Sequence, residues 1–110
     1  YYSECIMKDY YFYMWRHPYT GMTCFGITNN QNRRLSEYEG HNGFDIEWAY
    51  LISANEPTIK ELEKDIKVYL QKLQIGYKGY EWIVADVEYD TIVQTVEYLI
   101  DGKTIEKIVN

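Results

Sequence analysis

The spacing of hydrophobic residues along the chain predicts a succession of short strands and helices. Residues 10–16 (Tyr-Tyr-Phe-Tyr-Met-Trp-Arg) form an aromatic run suited to a buried or half-buried strand. Pro18 and Gly21 interrupt it, and residues 22–28 (Met-Thr-Cys-Phe-Gly-Ile-Thr) read as a second strand, so the two make a hairpin. Thr28, Asn29 and Asn30 are candidate N-caps for a helix running to about Glu39, with Leu35 and Tyr38 on one face and Gly40 closing it. From Gly43 to Ser53, Phe44, Ile46, Trp48, Tyr50 and Ile52 alternate strictly, which predicts a third strand. A helix follows from Pro57, where Ile59, Leu62, Ile66, Tyr69, Leu70 and Leu73 recur at the spacing of an amphipathic face before Gly76 and Gly79 end it. Tyr80 to Val84 suit a brief return to extended chain. After Asp90, Ile92, Val93, Val96, Leu99 and Ile100 predict a helix stopped by Gly102, although Asp101-Gly102 is equally a hairpin turn between strands. The order β-β-α-β-α plus a tail points to an α+β or mixed α/β fold.

The length of 110 residues and mass of 13.2 kDa suit one compact domain over residues 1–110. Hydrophobic residues make up 46% and include 13 tyrosines and three tryptophans, enough large side chains to build a core. A net charge of −6 argues against tight autonomous binding to a polyanion, yet a local positive patch and a metal ion would still suffice for catalysis on nucleic acid. Cys5 and Cys24 stand 19 apart with no secretory segment in front, so reduced thiols and a cytoplasmic, intracellular setting are expected. No apolar run approaches the roughly 20 residues of a membrane span, so no membrane partner is expected. The sequence begins with Tyr rather than Met, as expected of a domain from a longer protein whose other parts supply DNA targeting.

Several chemistries find no support. Two Cys and two His lie at no zinc-ligand spacing. Neither His17, in a turn, nor His41, in a loop, sits in a nucleophile motif, and there is no glycine-rich phosphate loop. What remains is an arginine-bearing helix after a hairpin, a carboxylate on a second helix, and many tyrosines.

With those parts in that order the chain resembles the GIY-YIG nuclease superfamily. Tyr11-Phe12-Tyr13 stands where the GIY motif would, and Cys24-Phe25-Gly26-Ile27-Thr28 where YIG-x-T would, with Tyr13 and Cys24 eleven apart. Gly26 is followed eight residues later by Arg34 in Asn32-Arg33-Arg34-Leu35, similar to the family's kRL step. Leu62-Glu63-Lys64, followed by Glu81-Trp82-Ile83, is similar to the LEK…EWF pattern of a phage-associated branch. The resemblance spans about residues 10–84, leaving a C-terminal helical extension over about 86–110. It departs from the family at Cys24, where the second motif tyrosine would stand, and at Tyr38, where histidine is frequent.

The resemblance implies a small three-stranded antiparallel sheet flanked by helices and a metal-dependent endonuclease acting on DNA, in a phage, mobile-element or restriction setting. Glu63, a hard oxygen ligand, would hold one Mg²⁺ or Mn²⁺ that keeps most of its waters. Arg34 would clamp the phosphate with its planar donor fork, with Arg33 and His41 as further phosphate-binding candidates. Tyr13 would orient or deprotonate the attacking water, and Tyr38 would donate or accept one hydrogen bond beside it. A rival expectation is a nucleic-acid-binding or protein-interaction module that keeps the fold without the activity. Plainer roles are also open: Tyr13 and Cys24 as core filling, the arginines as surface charges, and Glu63–Lys67 as a helix-supporting pair.

Overall fold

The computed structural model describes residues 9–19, 21, 23–72, 77–78, 82–83 and 89–109. Cys5, Leu73, Gly76, Gly79 and Glu81, each used in the sequence reading, lie outside them. The chain runs β1 (Tyr10–Arg16), β2 (Thr23–Thr28), α1 (Gln31–Asn42), β3 (Tyr50–Ala54), α2 (Glu56–Lys72), β4 (Tyr77–Lys78), β5 (Trp82–Ile83), α3 (Tyr89–Ile100) and β6 (Glu106–Val109). The fold is α+β.

The strands form one antiparallel sheet in the order β4-β5-β2-β1-β3-β6. The expected three-stranded sheet is therefore too small. Its three strands occupy the centre as β2-β1-β3, β6 adds a fourth substantial strand beside β3, and the two-residue β5 and β4 extend the β2 side. In β1, Phe12 and Met14 face one way and Tyr13 and Trp15 the other, and all four are buried. That is why the run has no polar alternation: both faces of the central strand are covered.

The two faces carry different helices. Phe12, Met14, Phe25, Tyr50 and Ile52 pack against Ile59, Leu62 and Ile66 of α2 and Ile92, Val96 and Ile100 of α3. On the opposite face Tyr13, Trp15, Cys24 and Leu51 meet Leu35 and Tyr38 of α1 and the side chains of Phe44, Ile46 and Trp48.

Local chemistry fixes the helix ends. Asn30 caps α1, its Oδ1 accepting from Arg33 N at 3.0 Å. Gly43, not Gly40, closes it, taking φ 78° and donating its N–H to Glu39 O at 2.8 Å. Asn55 starts α2 in the same way, accepting from Thr58 N at 3.0 Å, which places Pro57 in the first turn where no backbone donor is needed.

Two further expectations are corrected. The strand predicted over residues 43–53 pairs only from Tyr50 to Ala54. Its alternation is real, since Phe44, Ile46 and Trp48 turn toward the α1-side cluster while Asp45 and Glu47 are exposed. But pairing with β1 stops at Met14↔Tyr50, with Ala49 N donating to Met14 O at 2.8 Å as the last link, and the preceding segment leaves the sheet. The C-terminal extension is not wholly helical. Asp101-Gly102 turns the chain after α3, Gly102 taking φ 81°, and β6 then pairs with β3.

Candidate functional site

Antiparallel pairing sets Tyr13 opposite Gly26 and Trp15 opposite Cys24, so Tyr13 and Cys24 are diagonal neighbours on the α1 face of the sheet. Helix α1 lies over them and brings down Tyr38. The Tyr38 and Tyr13 hydroxyls are 2.8 Å apart, and the Cys24 thiol donates to the same Tyr38 oxygen at 3.5 Å. Three side chains from three elements, 25 and 14 residues apart in sequence, thus share one hydrogen-bonded cluster.

Aromatic walls enclose the cluster. The Trp48 ring lies 4.6 Å from that of Tyr13 at a tilt of 32°, and Tyr38 stands edge-on to Tyr13 at 5.8 Å. Tyr13 is fully buried, whereas Tyr38 is half-buried. Of the two rings only that of Tyr38 is partly open to solvent, and Tyr13 lies beneath it. Sequence reasoning placed Tyr13 itself against the attacking water; the structure buries it fully beneath the Trp48 ring.

Arg33 and Arg34 sit in the first turn of α1, which carries no acidic residue, so their guanidinium charges add to the positive end of the helix dipole. One turn on, Glu37 lies 3.5 Å from Arg34 and 3.9 Å from Arg33. Arg33 and Glu37 are exposed, while Arg34 is half-buried with its Nε enclosed. Arg34, Tyr38 and His41 follow one another at i, i+4 and i+7 and so share a stripe of α1. His41 belongs to the last helical turn rather than to a loop, about 10 Å along the axis from Arg34 at 1.5 Å per residue.

Glu63 is placed differently. Its neighbour Leu62 is in the α2 core stripe on the opposite face of the sheet, and Glu63 stands at the border of that stripe, 3.7 Å from Lys67. Arg34 and Glu63 belong to helices separated by the sheet, so the two side chains can serve one substrate only past its edge or end. The chemistry of this donor set fits Mg²⁺ in one respect alone: a single carboxylate suffices when substrate phosphate and water complete the octahedron. Among the described residues no group of three or more His, Cys, Asp and Glu side chains could hold a metal ion by itself.

The sequence reading missed the segment after α1. Residues 44–49 are tied to both ends of that helix: Ile46 N donates to Glu39 Oε2 at 3.0 Å, and Trp48 Nε1 donates to Gln31 Oε1 at 2.9 Å. Where this segment departs from β1 it leaves an open cleft of about 400 Å³ lined by Trp15, Arg16, Phe44 and Trp48, with Asp45 and Glu47 also on its wall. The signal available was the alternation of aromatic and acidic residues in Phe44-Asp45-Ile46-Glu47-Trp48, which reads equally as a strand.

No described helix is long and apolar enough to cross a membrane. No protein-family model, curated protein or solved structure matches the chain. The family resemblance therefore rests on the motif residues and their arrangement.

Proposed function

We propose that the protein is a metal-dependent DNA endonuclease of the GIY-YIG type whose phosphate-binding and water-orienting residues lie on the α1 face, with the metal ligand Glu63 reaching the substrate past the edge of the sheet. The observation that carries this reading is the Tyr13–Tyr38–Cys24 cluster: the three positions singled out by motif spacing meet in one network beside the helix turn that bears Arg34.

In this reading Arg34, aided by Arg33, exchanges Glu37 for a DNA phosphate and stabilises the charge that builds on its oxygens in the transition state. Tyr38 orients the attacking water, and its own hydroxyl is held by Tyr13 and Cys24. Glu63 would hold Mg²⁺ or Mn²⁺ after release from Lys67. The bound metal would supply Lewis-acid stabilisation of the phosphoryl group and the leaving oxygen. The net charge of −6 implies a substrate grip confined to the arginine turn, which suits a domain that other parts of a longer chain bring to DNA.

A second reading, a DNA-binding or protein-binding module without catalysis, is favoured by the burial of Tyr13 and by the separation of Glu63 from the α1 face. Nicking of supercoiled plasmid at low salt with Mg²⁺ or Mn²⁺, with EDTA as control, distinguishes the two. Metal-dependent nicking lost in both Arg34→Ala and Glu63→Ala supports the nuclease. Folded protein that binds plasmid and never nicks it, in either metal, supports the binding module.

A further inference from the structure

The cleft beside the tyrosine cluster plays no part in the chemistry above. Its walls are aromatic: half-buried Phe44 and Trp48 line it, and buried Trp15 joins them. Flat π faces of this kind stack on nucleobases of any sequence. The volume of about 400 Å³ is ample for one base, and the two ties between residues 44–49 and α1 hold the wall in place before any ligand arrives.

The polar groups narrow the ligand. Asp45 and Glu47 are both exposed and both line the cleft, offering hydrogen-bond acceptors and repelling phosphate. Arg16 borders the cleft from β1, but its guanidinium stacks 5.2 Å from the centre of the Tyr89 ring on the α3 side and so leaves the carboxylates as the charged groups of the wall. Acceptors beside an aromatic wall complement the exocyclic amino group of a base such as cytosine. Trp48 is shared: one ring packs on Tyr13 at 4.6 Å and also lines the cleft, so a base held there lies one side chain away from the tyrosine cluster.

We infer that this cleft receives an unstacked nucleobase of the substrate strand, next to the phosphate held by the arginine turn, and selects bases that carry an exocyclic amino group. The inference rests on the nucleic-acid reading of the α1 face and deepens it by naming the part of the substrate that is read.

The test is binding without cleavage: fluorescence anisotropy of end-labelled single-stranded oligodeoxycytidylate and oligodeoxyuridylate, in EDTA, with the folded full chain. The two ligands differ at the 4-position and the neighbouring N3 proton, so backbone electrostatics cancel in the ratio of their affinities. The wild type should prefer the cytidylate, and Phe44→Ala should weaken it about ten-fold through lost stacking. The double variant Asp45→Ala with Glu47→Ala removes both acceptor groups and changes only exposed side chains, so the fold is not at stake. It should abolish the preference, whatever the removal of two negative charges does to overall affinity. Equal binding of both ligands by the wild type, or a preference that survives the double variant, overturns the inference. Because no metal is present, absence of nicking in the plasmid assay leaves this result readable by itself.

Discussion

Each face of the central sheet buries a tyrosine from a central strand, and the two are fastened by different chemistry. On the α2–α3 face, Tyr50 donates to Glu97 Oε2 at 2.6 Å, and Lys107 of β6 holds the other oxygen at 2.7 Å. On the α1 face, Tyr13 meets the hydroxyl of Tyr38 at 2.8 Å, with a thiol as third member. Glu97 is only an acceptor, so the Tyr50 proton has one place to go. Between Tyr13 and Tyr38 either oxygen can donate. One network is a charge-assisted clasp joining β3, α3 and β6; the other is uncharged and can reverse its hydrogen bonds at little cost. The first suits a structural role and the second suits a site that orients a water.

The same contrast governs pH response. Burial, then the Glu97 hydrogen bond and charge, push the Tyr50 phenol well above its ordinary value near 10. The hydrogen bonds from Lys107 and Tyr50 hold the Glu97 carboxyl below its ordinary value. A raised folded value contributes stability that is complete below the unfolded value, so the Tyr50 contribution is lost as pH rises above about 10. A lowered folded value contributes stability that is complete above the unfolded value near 4.5, so the Glu97 contribution is lost as pH falls below it.

On the proposed nuclease reading, the largest effect expected concerns activity on the α1 face. Arg34→Ala should lower the plasmid nicking rate at least about 100-fold, as loss of a transition-state donor does, while its thermal midpoint stays near wild type. Wild-type nicking by this variant would remove the arginine turn from the site and with it the functional half of the comparison. Next is Glu97→Ala, which strands a buried hydroxyl and should lower the unfolding free energy by about 2 kcal/mol in urea titration, with part of the loss recovered in the double variant Tyr50→Phe, Glu97→Ala. Tyr13→Phe removes a neutral bond and should cost about 1 kcal/mol. A loss as large as that of Glu97→Ala would show the two networks to be equivalent fasteners. Smallest are the slopes of stability with pH: Glu97→Gln should flatten the acid limb below pH 4.5 and Tyr50→Phe the alkaline limb above pH 10, whereas Tyr13→Phe should leave the acid limb unchanged.

Much of this was legible in the linear chain. The β1–β2 hairpin, the α1 cap at Asn30 and the Ile59-Leu62-Ile66 face of α2 follow from local rules and stand in the structure. So does the α+β class. Motif spacing also picked out Tyr13, Cys24 and Tyr38, which the fold brings together. The misjudged places share a cause. Residues 44–48 alternate as a strand does, but the alternation records only that Phe44, Ile46 and Trp48 face inward. Whether such a segment joins a sheet depends on a free partner edge, and the pairing of β3 with β1 ends at Met14. Likewise Glu106-Lys107-Ile108-Val109, exposed throughout, carries no inside-outside pattern; the hairpin reading of Asp101-Gly102 left a strand open, and β6 forms because the turn at Gly102 delivers it to the open side of β3.

What the sequence determined by itself is the inside and outside of α1, α2, α3 and residues 44–48, because period two and period 3.6 are properties of the local backbone. The tertiary structure decided which face of the sheet each helix covers. That choice joined Tyr38 to Tyr13, set α2 with Glu63 on the other side, and opened the cleft between β1 and residues 44–49. It rests on strand register and on packing between distant residues, and no periodicity along the chain encodes those contacts.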